Sequence, residues 1–368
     1  MRRERNSNFE ILRIVSILLI IAHHFSVHGG FDFGSTVSFN SIMMELFILG
    51  GKVGVNCFVL ISGYFLVNSN QLNFRKLLLL WVKVFVYSTV LFAIFCGVGK
   101  LAFSWKELIH SALPVIFNQW WFVSVYVLLY IFHPFINVAL RNISKQAHLV
   151  MLLIMLVLWS VIPTFAGRIS GIQFSNFIWF VFLYCVAGYL RLHGLPKKLN
   201  AVSSLLLAVG SYAIVFGIAV VKNVVFGVAN FYYEMESLTM LVPSVFLFLV
   251  FAYAKPRCIK FVNFVSSAML GVYLLHDHEL TMRTYIWREL FKNYSYTNSP
   301  YLVLYALFEI VSVFVVCIAV DLFYTYTLEL LIKKAISSTW GEKICNKLTL
   351  QVSLPSDTTQ NETENHKD

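Results

Sequence analysis

Phe9-Glu10-Ile-Leu-Arg13-Ile-Val-Ser16-Ile-Leu-Leu-Ile-Ile-Ala-His23-His24-Phe25 sets one acid, one arginine and two adjacent histidines in an otherwise apolar run. Crossing a hydrocarbon core of ~30 Å takes roughly 20 mostly apolar residues, and this stretch is of that kind. Arg2, Arg3 and Arg5 precede it, which is also how a secretory signal opens. The ionisable residues inside the run, and the lack of a small-residue cleavage site after it, favour a retained first membrane helix.

Counting this stretch, apolar runs recur near 9–28, 43–66, 77–98, 121–140, 148–166, 174–191, 201–221, 237–254, 259–276 and 301–332, ten in all, the sixth and ninth of them short or interrupted. The stretch 101–118 reads as a helix lying in the membrane interface. Composition agrees: the 368 residues are 59% hydrophobic and only 12% charged, with mean hydropathy +0.75. Soluble chains carry about 25% charged residues, so this one has too few to solvate a folded surface. The 34 Phe, 18 Tyr and 8 Trp fit lipid as the solvent, with Trp and Tyr as interfacial anchors. The expected fold is an all-α polytopic bundle over residues 1–347, followed by a polar, disordered tail over 348–368.

The net charge of +10 invites a nucleic-acid reading, but no basic run interleaved with aromatics supports one. The charges sort by loop instead. With ten spans, 18 of the 28 Lys and Arg fall in loops on the side of the N-terminus and 7 on the other side. That is the positive-inside pattern, and it puts both termini in the cytoplasm of a multi-pass cell-membrane protein. A count of nine or eleven would break the alternation from the error onward. The six cysteines form no CxxC and show no metal-ligand spacing, so they read as small core residues.

Ionisable groups inside a span are costly and are functional candidates by default. Arg13 and His24 are eleven residues apart, which returns a helix to within about 20° of the same face over a rise of about 16 Å. A guanidinium grips phosphate or carboxylate bidentately, and a neutral imidazole serves as a general base. The same pair fits a plainer reading, in which Arg13 snorkels and pairs with Glu10 while His24 caps the helix at the interface. His23 points about 100° away from His24 and ranks second. In the second span, Gly50, Gly51, Gly54 and Gly63 permit close helix approach, while Asn56 and Ser62 add polar atoms that either line a cavity or bond between helices. Trp121 with Trp120 reads as an interfacial belt. His276-Asp277-His278-Glu279 places two histidines two apart, which do not face each other on a helix, so no metal site is expected, and His276 remains a cavity-lining candidate.

Taken together, these segments resemble the membrane-bound acyltransferase-3 family, which O-acylates bacterial surface polysaccharides. The resemblance rests on Arg, ten residues and His in the first helix (Arg13, His24), and on Phe58-Val-Leu-Ile-Ser62-Gly63-Tyr64 ending the second. Trp121-Phe122 and Tyr273-Leu-Leu-His276 complete it, in order, over about 6–332. The chain departs from the family after the second helix, where an arginine cluster followed by Pro is replaced by Arg75-Lys76-Leu-Leu-Leu-Leu-Trp81-Val-Lys83.

The resemblance implies acetyl transfer from cytoplasmic acetyl-CoA, a co-substrate rather than a bound cofactor, to a polysaccharide or lipid-linked saccharide at the bacterial plasma membrane. Arg13, Arg75 and Lys76 would bind the donor, and His24, ahead of His23, would act on the acceptor hydroxyl. Membrane lipid and polysaccharide biosynthesis machinery are the other expected partners. A transporter or flippase of lipid-linked saccharides fits the span count and buried charges equally. The spacing of Arg13 and His24 favours the enzyme over that rival and over a silent sensor module.

Overall fold

The computed structural model describes residues 6–34, 37–166, 175–226 and 234–353. Arg2, Arg3, Arg5, Arg168 and the tail beyond 353 lie outside the described residues.

Helices α1 (Ser7–His28), α2 (Phe39–Leu66) and α3 (Phe74–Gly97) open the bundle. Each starts where a short polar side chain can take up an otherwise unbonded N–H: Asn6 accepts from Asn8, Ser38 and Ser41 form a reciprocal capping box, and Asn73 accepts from Lys76. A short α4 (Trp105–Ala112) falls within the expected interfacial stretch, and α5 (Trp121–Arg141) follows. Next come α6 (Lys145–Leu156), continued through one wide π turn into α7 (Ile162–Ala166), then α8 (Asn176–His193) and α9 (Ala201–Phe226). The chain closes with α10 (Leu238–Tyr253), α11 (Lys260–Ser266), α12 (Met269–His276), α13 (Met282–Thr284), α14 (Leu302–Tyr326), α15 (Leu328–Ile336) and α16 (Thr339–Leu348).

Among the described residues, eight helices are long and apolar enough to cross a membrane, counting α6–α7 and α14–α15 as one each. The eighth expected span falls on α10, at 16 residues. The ninth is broken between α11 and α12, where Ser266 and Ser267 interrupt the apolar run. The protein is thus an all-α, polytopic membrane bundle.

Helices α1 and α2 pack backbone to backbone. A Cβ on Gly54 would fall 2.5 Å from the Ser16 carbonyl oxygen, so only glycine fits at that contact. Polar ties then lock the bundle where lipid offers no competing water. The Trp179 indole donates to Asn56 Oδ1 at 3.0 Å, and the Asn56 amide donates to the Met235 carbonyl at 3.0 Å. Lys83 of α3 meets Asp321 of α14 at 2.7 Å, and the Tyr87 hydroxyl donates to the same oxygen at 2.6 Å. Asp321 lies against Gly271 of α12, where no side chain could be added. Asn137 and Arg141 at the end of α5 donate to the Leu66 and Val67 carbonyls, which the end of α2 leaves without helical partners.

The two ends of the described chain, near Ser7 and Gln351, lie on the same side of the bundle. The Ser7 amide donates to the Arg257 carbonyl between α10 and α11. Two residues before α3 (β1, Gln71–Leu72) pair antiparallel with two after α16 (β2, Leu350–Gln351). The polar tail expected from residue 348 therefore begins with an ordered strand, because pairing beside α3 satisfies its backbone.

Candidate active site

A cavity of about 570 Å³ runs inside the bundle along α1, bounded by Glu10 and Arg13 at one end and by His24 at the other. Its flanks are Val55, Phe58 and Ser62 of α2, Lys76, Leu77 and Leu80 of α3, and Trp121, Phe122, Tyr126 and Tyr130 of α5. The broken span supplies Ser266, Ser267, Met269, Leu270 and Tyr273. Irregular backbone at membrane depth is tolerated where it lines a cavity, which accounts for the break between α11 and α12. The walls are mainly apolar, and the polar groups gather at the two ends, the pattern of a site for an elongated ligand.

Arg13 and Glu10 occupy the end near the termini. Arg13 Nη1 lies 2.6 Å from Glu10 Oε1, and the Ser266 hydroxyl donates to the other carboxylate oxygen. The pair therefore fixes one edge of the guanidinium while Arg13 still borders the cavity. Lys76 stands nearby on the first turn of α3.

At the opposite end, the hydrogen bonds assign the histidine tautomers. His276 Nδ1 lies 2.6 Å from the Val272 carbonyl oxygen, which only accepts, so this nitrogen carries the proton. His276 Nε2 then holds a lone pair, and His24 Nδ1 donates to it at 2.9 Å. His24 is left with its own lone pair on Nε2, to which no described protein group bonds. Asp277 Oδ1 lies 3.5 Å from His24 Nδ1, and Arg283 Nε donates to that oxygen at 3.0 Å. Burial pushes the Asp277 carboxyl, in the connection after α12, up to about 6, against the pull of the Arg283 guanidinium. His24, His28 and Asp277 present ligand atoms within 4.8 Å of one another. The Arg283 charge on Asp277 opposes a second cation there, and His24 Nδ1 is committed to His276.

Of the residues singled out from sequence, Arg13, His24, Ser62, Lys76 and Trp121 border the one cavity. His276 stands behind His24. His23 does not face the cavity, because its Nδ1 donates to the Ile48 carbonyl of α2 at 2.7 Å. Asn56 is spent between α2, α8 and α10. Arg75 is exposed and donates to Ser337 at 2.6 Å. Residues that sequence reading passed over include Tyr126 and Tyr130, which follow Phe122 at steps of four along α5 and so share its face. Asp277 and Arg283 were also passed over as a pair acting on His24, since only the packing of α12 on α1 brings them there.

A family model described as an acyltransferase domain, the third of that name, matches residues 6–322. No curated protein and no solved structure matches the chain.

Proposed function

The chain belongs to the acyltransferase-3 family and is a membrane acyltransferase; from this premise we propose that it moves an acetyl group from cytoplasmic acetyl-CoA to a hydroxyl of a cell-surface or extracellular polysaccharide. One observation carries the proposal: a single cavity joins Arg13 and Lys76 near the termini to His24, about 16 Å along α1. The side holding both termini is the cytoplasmic one in this reading, as the loop charges argue.

Arg13 and Lys76 bind the anionic part of the donor, and exposed Arg75 adds to the field that draws it in. Glu10 holds Arg13 in place, and the donor's slender arm lies along the apolar wall of Ile17, Ile20, Val55 and Phe58. The thioester then sits beside His24 Nε2. As the acceptor hydroxyl approaches, Nε2 takes its proton, the oxygen bonds to the acyl carbon and the carbon–sulfur bond breaks. The proton passes from His24 to the departing thiolate, which leaves as free CoA. Acetyl-CoA is a co-substrate here, and the chemistry needs no resident cofactor.

The purified protein, supplied with acetyl-CoA and with base-treated, O-deacylated surface polysaccharide from a strain lacking the gene, tests the proposal. Acceptor-dependent CoA release, with new O-acetyl signals by NMR, is the expected result. Release with succinyl-CoA alone would replace the acetyl assignment. No release with any acyl-CoA, but movement of lipid-linked saccharide, would favour the transporter reading.

A further inference from the structure

His24 Nδ1 is approached by two groups that do different things. His276 Nε2, at 2.9 Å, accepts a hydrogen bond from its N–H and so fixes the tautomer. Asp277 Oδ1, at 3.5 Å, brings a formal charge, and only 3% of that side chain is exposed. Neither residue borders the cavity, whereas His24 does, so both act from behind the imidazole.

An isolated carboxylate at this depth would be costly to keep ionised. Arg283 meets that need, with Nε on Asp277 Oδ1 at 3.0 Å and Nη1 reaching Glu279 at 3.8 Å. Before transfer, Arg283 and Asp277 balance. Once Nε2 holds the acceptor's proton, His24 is a cation within a few ångströms of Arg283, and Asp277 is the anion set between them. Without that carboxylate the imidazolium would face the guanidinium in a low-dielectric surrounding, where like charges repel strongly.

We infer that Asp277, held by Arg283, is a positioning residue that stabilises the His24 imidazolium formed during transfer, a role that rests on the acyltransferase reading above. The atoms balance as follows. The acceptor O–H bond breaks and its proton goes to Nε2, an O–C bond forms at the acyl carbon, the C–S bond breaks, and the CoA sulfur recovers the proton from His24. Asp277 itself gains and loses none. In a Ser-His-Asp triad one carboxylate sets both tautomer and charge, and its amide variant loses about 10⁴ in kcat. Here His276 keeps the tautomer, so Asp277→Asn is expected to lose less, on the order of 10- to 100-fold in kcat.

The test uses the full-length protein in liposomes, with acetyl-CoA and the O-deacylated polysaccharide. Asp277→Asn should lower kcat with KM for acetyl-CoA within about twofold of wild type, and Asp277→Glu should recover most of the loss. A purely structural residue would instead raise KM or lower the thermal midpoint, and Glu would rescue neither. Should Asn fail to fold, Asp277→Ser, which keeps a hydrogen bond but no charge, takes its place. Wild-type kcat in a folded, uncharged variant overturns the inference alone. Failure of the wild-type protein to transfer any acyl group overturns the acyltransferase reading and the inference together.

Discussion

At the scale of single residues, His24 and His23 provide an internal comparison. They are neighbours on one helix, yet one borders the cavity with Nε2 bonded to none of the described protein groups and the other is tied to the Ile48 carbonyl. His24→Ala should remove at least about 10³-fold of the transfer rate while leaving membrane insertion intact, the scale expected for a general base. His23→Ala should keep the rate within about tenfold and lower the thermal midpoint instead, since it removes the imidazole's added bond to the Ile48 carbonyl and its packing on Gly51. Rate assays and thermal unfolding of the two variants side by side check this. Arg13→Lys should raise KM for acetyl-CoA with little change in kcat, because an ammonium cannot both hold Glu10 and present a second edge to the donor. The spacing of Arg13 and His24 was readable from helix geometry, and so was the Glu10 partner one turn away. The groups behind His24 were not: His276 and Asp277 lie some 250 residues on in the sequence, and no periodicity within a span announces which face of another it will meet.

Elements were legible in proportion to their apolar length. The ten runs are recognisable because lipid demands them, and eight carry enough length to stand as single spanning units. The ninth run already reads as short or interrupted in the sequence, and its break falls at Ser266 and Ser267; the cavity that the broken segment lines was not readable. Nor was the ordered start of the tail, whose pairing partner lies before α3. Two predictions belong at this scale. Gly54→Ala places a methyl 2.5 Å from a backbone oxygen that cannot swing away, so α1 and α2 must separate, at a cost of about 1–3 kcal/mol. Thermal unfolding in detergent should register the loss, with a matching fall in transfer because α1 carries both Arg13 and His24. Lys83 and Asp321 form a buried ion pair, and a buried pair is dear to break but cheap to replace. Lys83→Met alone should cost about 3–5 kcal/mol, and Lys83→Met with Asp321→Leu should recover much of it. A double variant no better than the single would show that the pair serves more than neutrality.

At the scale of the molecule, one cavity runs within the bundle between Arg13 and His24, and strand pairing tells which connections share an end with Arg13. The C-terminal strand pairs with the connection between α2 and α3, Gln71 opposite Gln351, so the two belong on one side. Cysteines at both positions, in a Cys258→Ser background, should form a disulfide on mild oxidation. Failure to cross-link would separate the C-terminus from that side. His24, at the end of the cavity away from Arg13, is proposed to perform acyl transfer within the membrane bundle, and CoA release by liposome-embedded wild-type and His24→Ala proteins is the decisive measurement. With acetyl-CoA and O-deacylated polysaccharide, the account predicts acceptor-dependent release by the wild-type protein and none above background by the folded variant. Equal release by the two would contradict it.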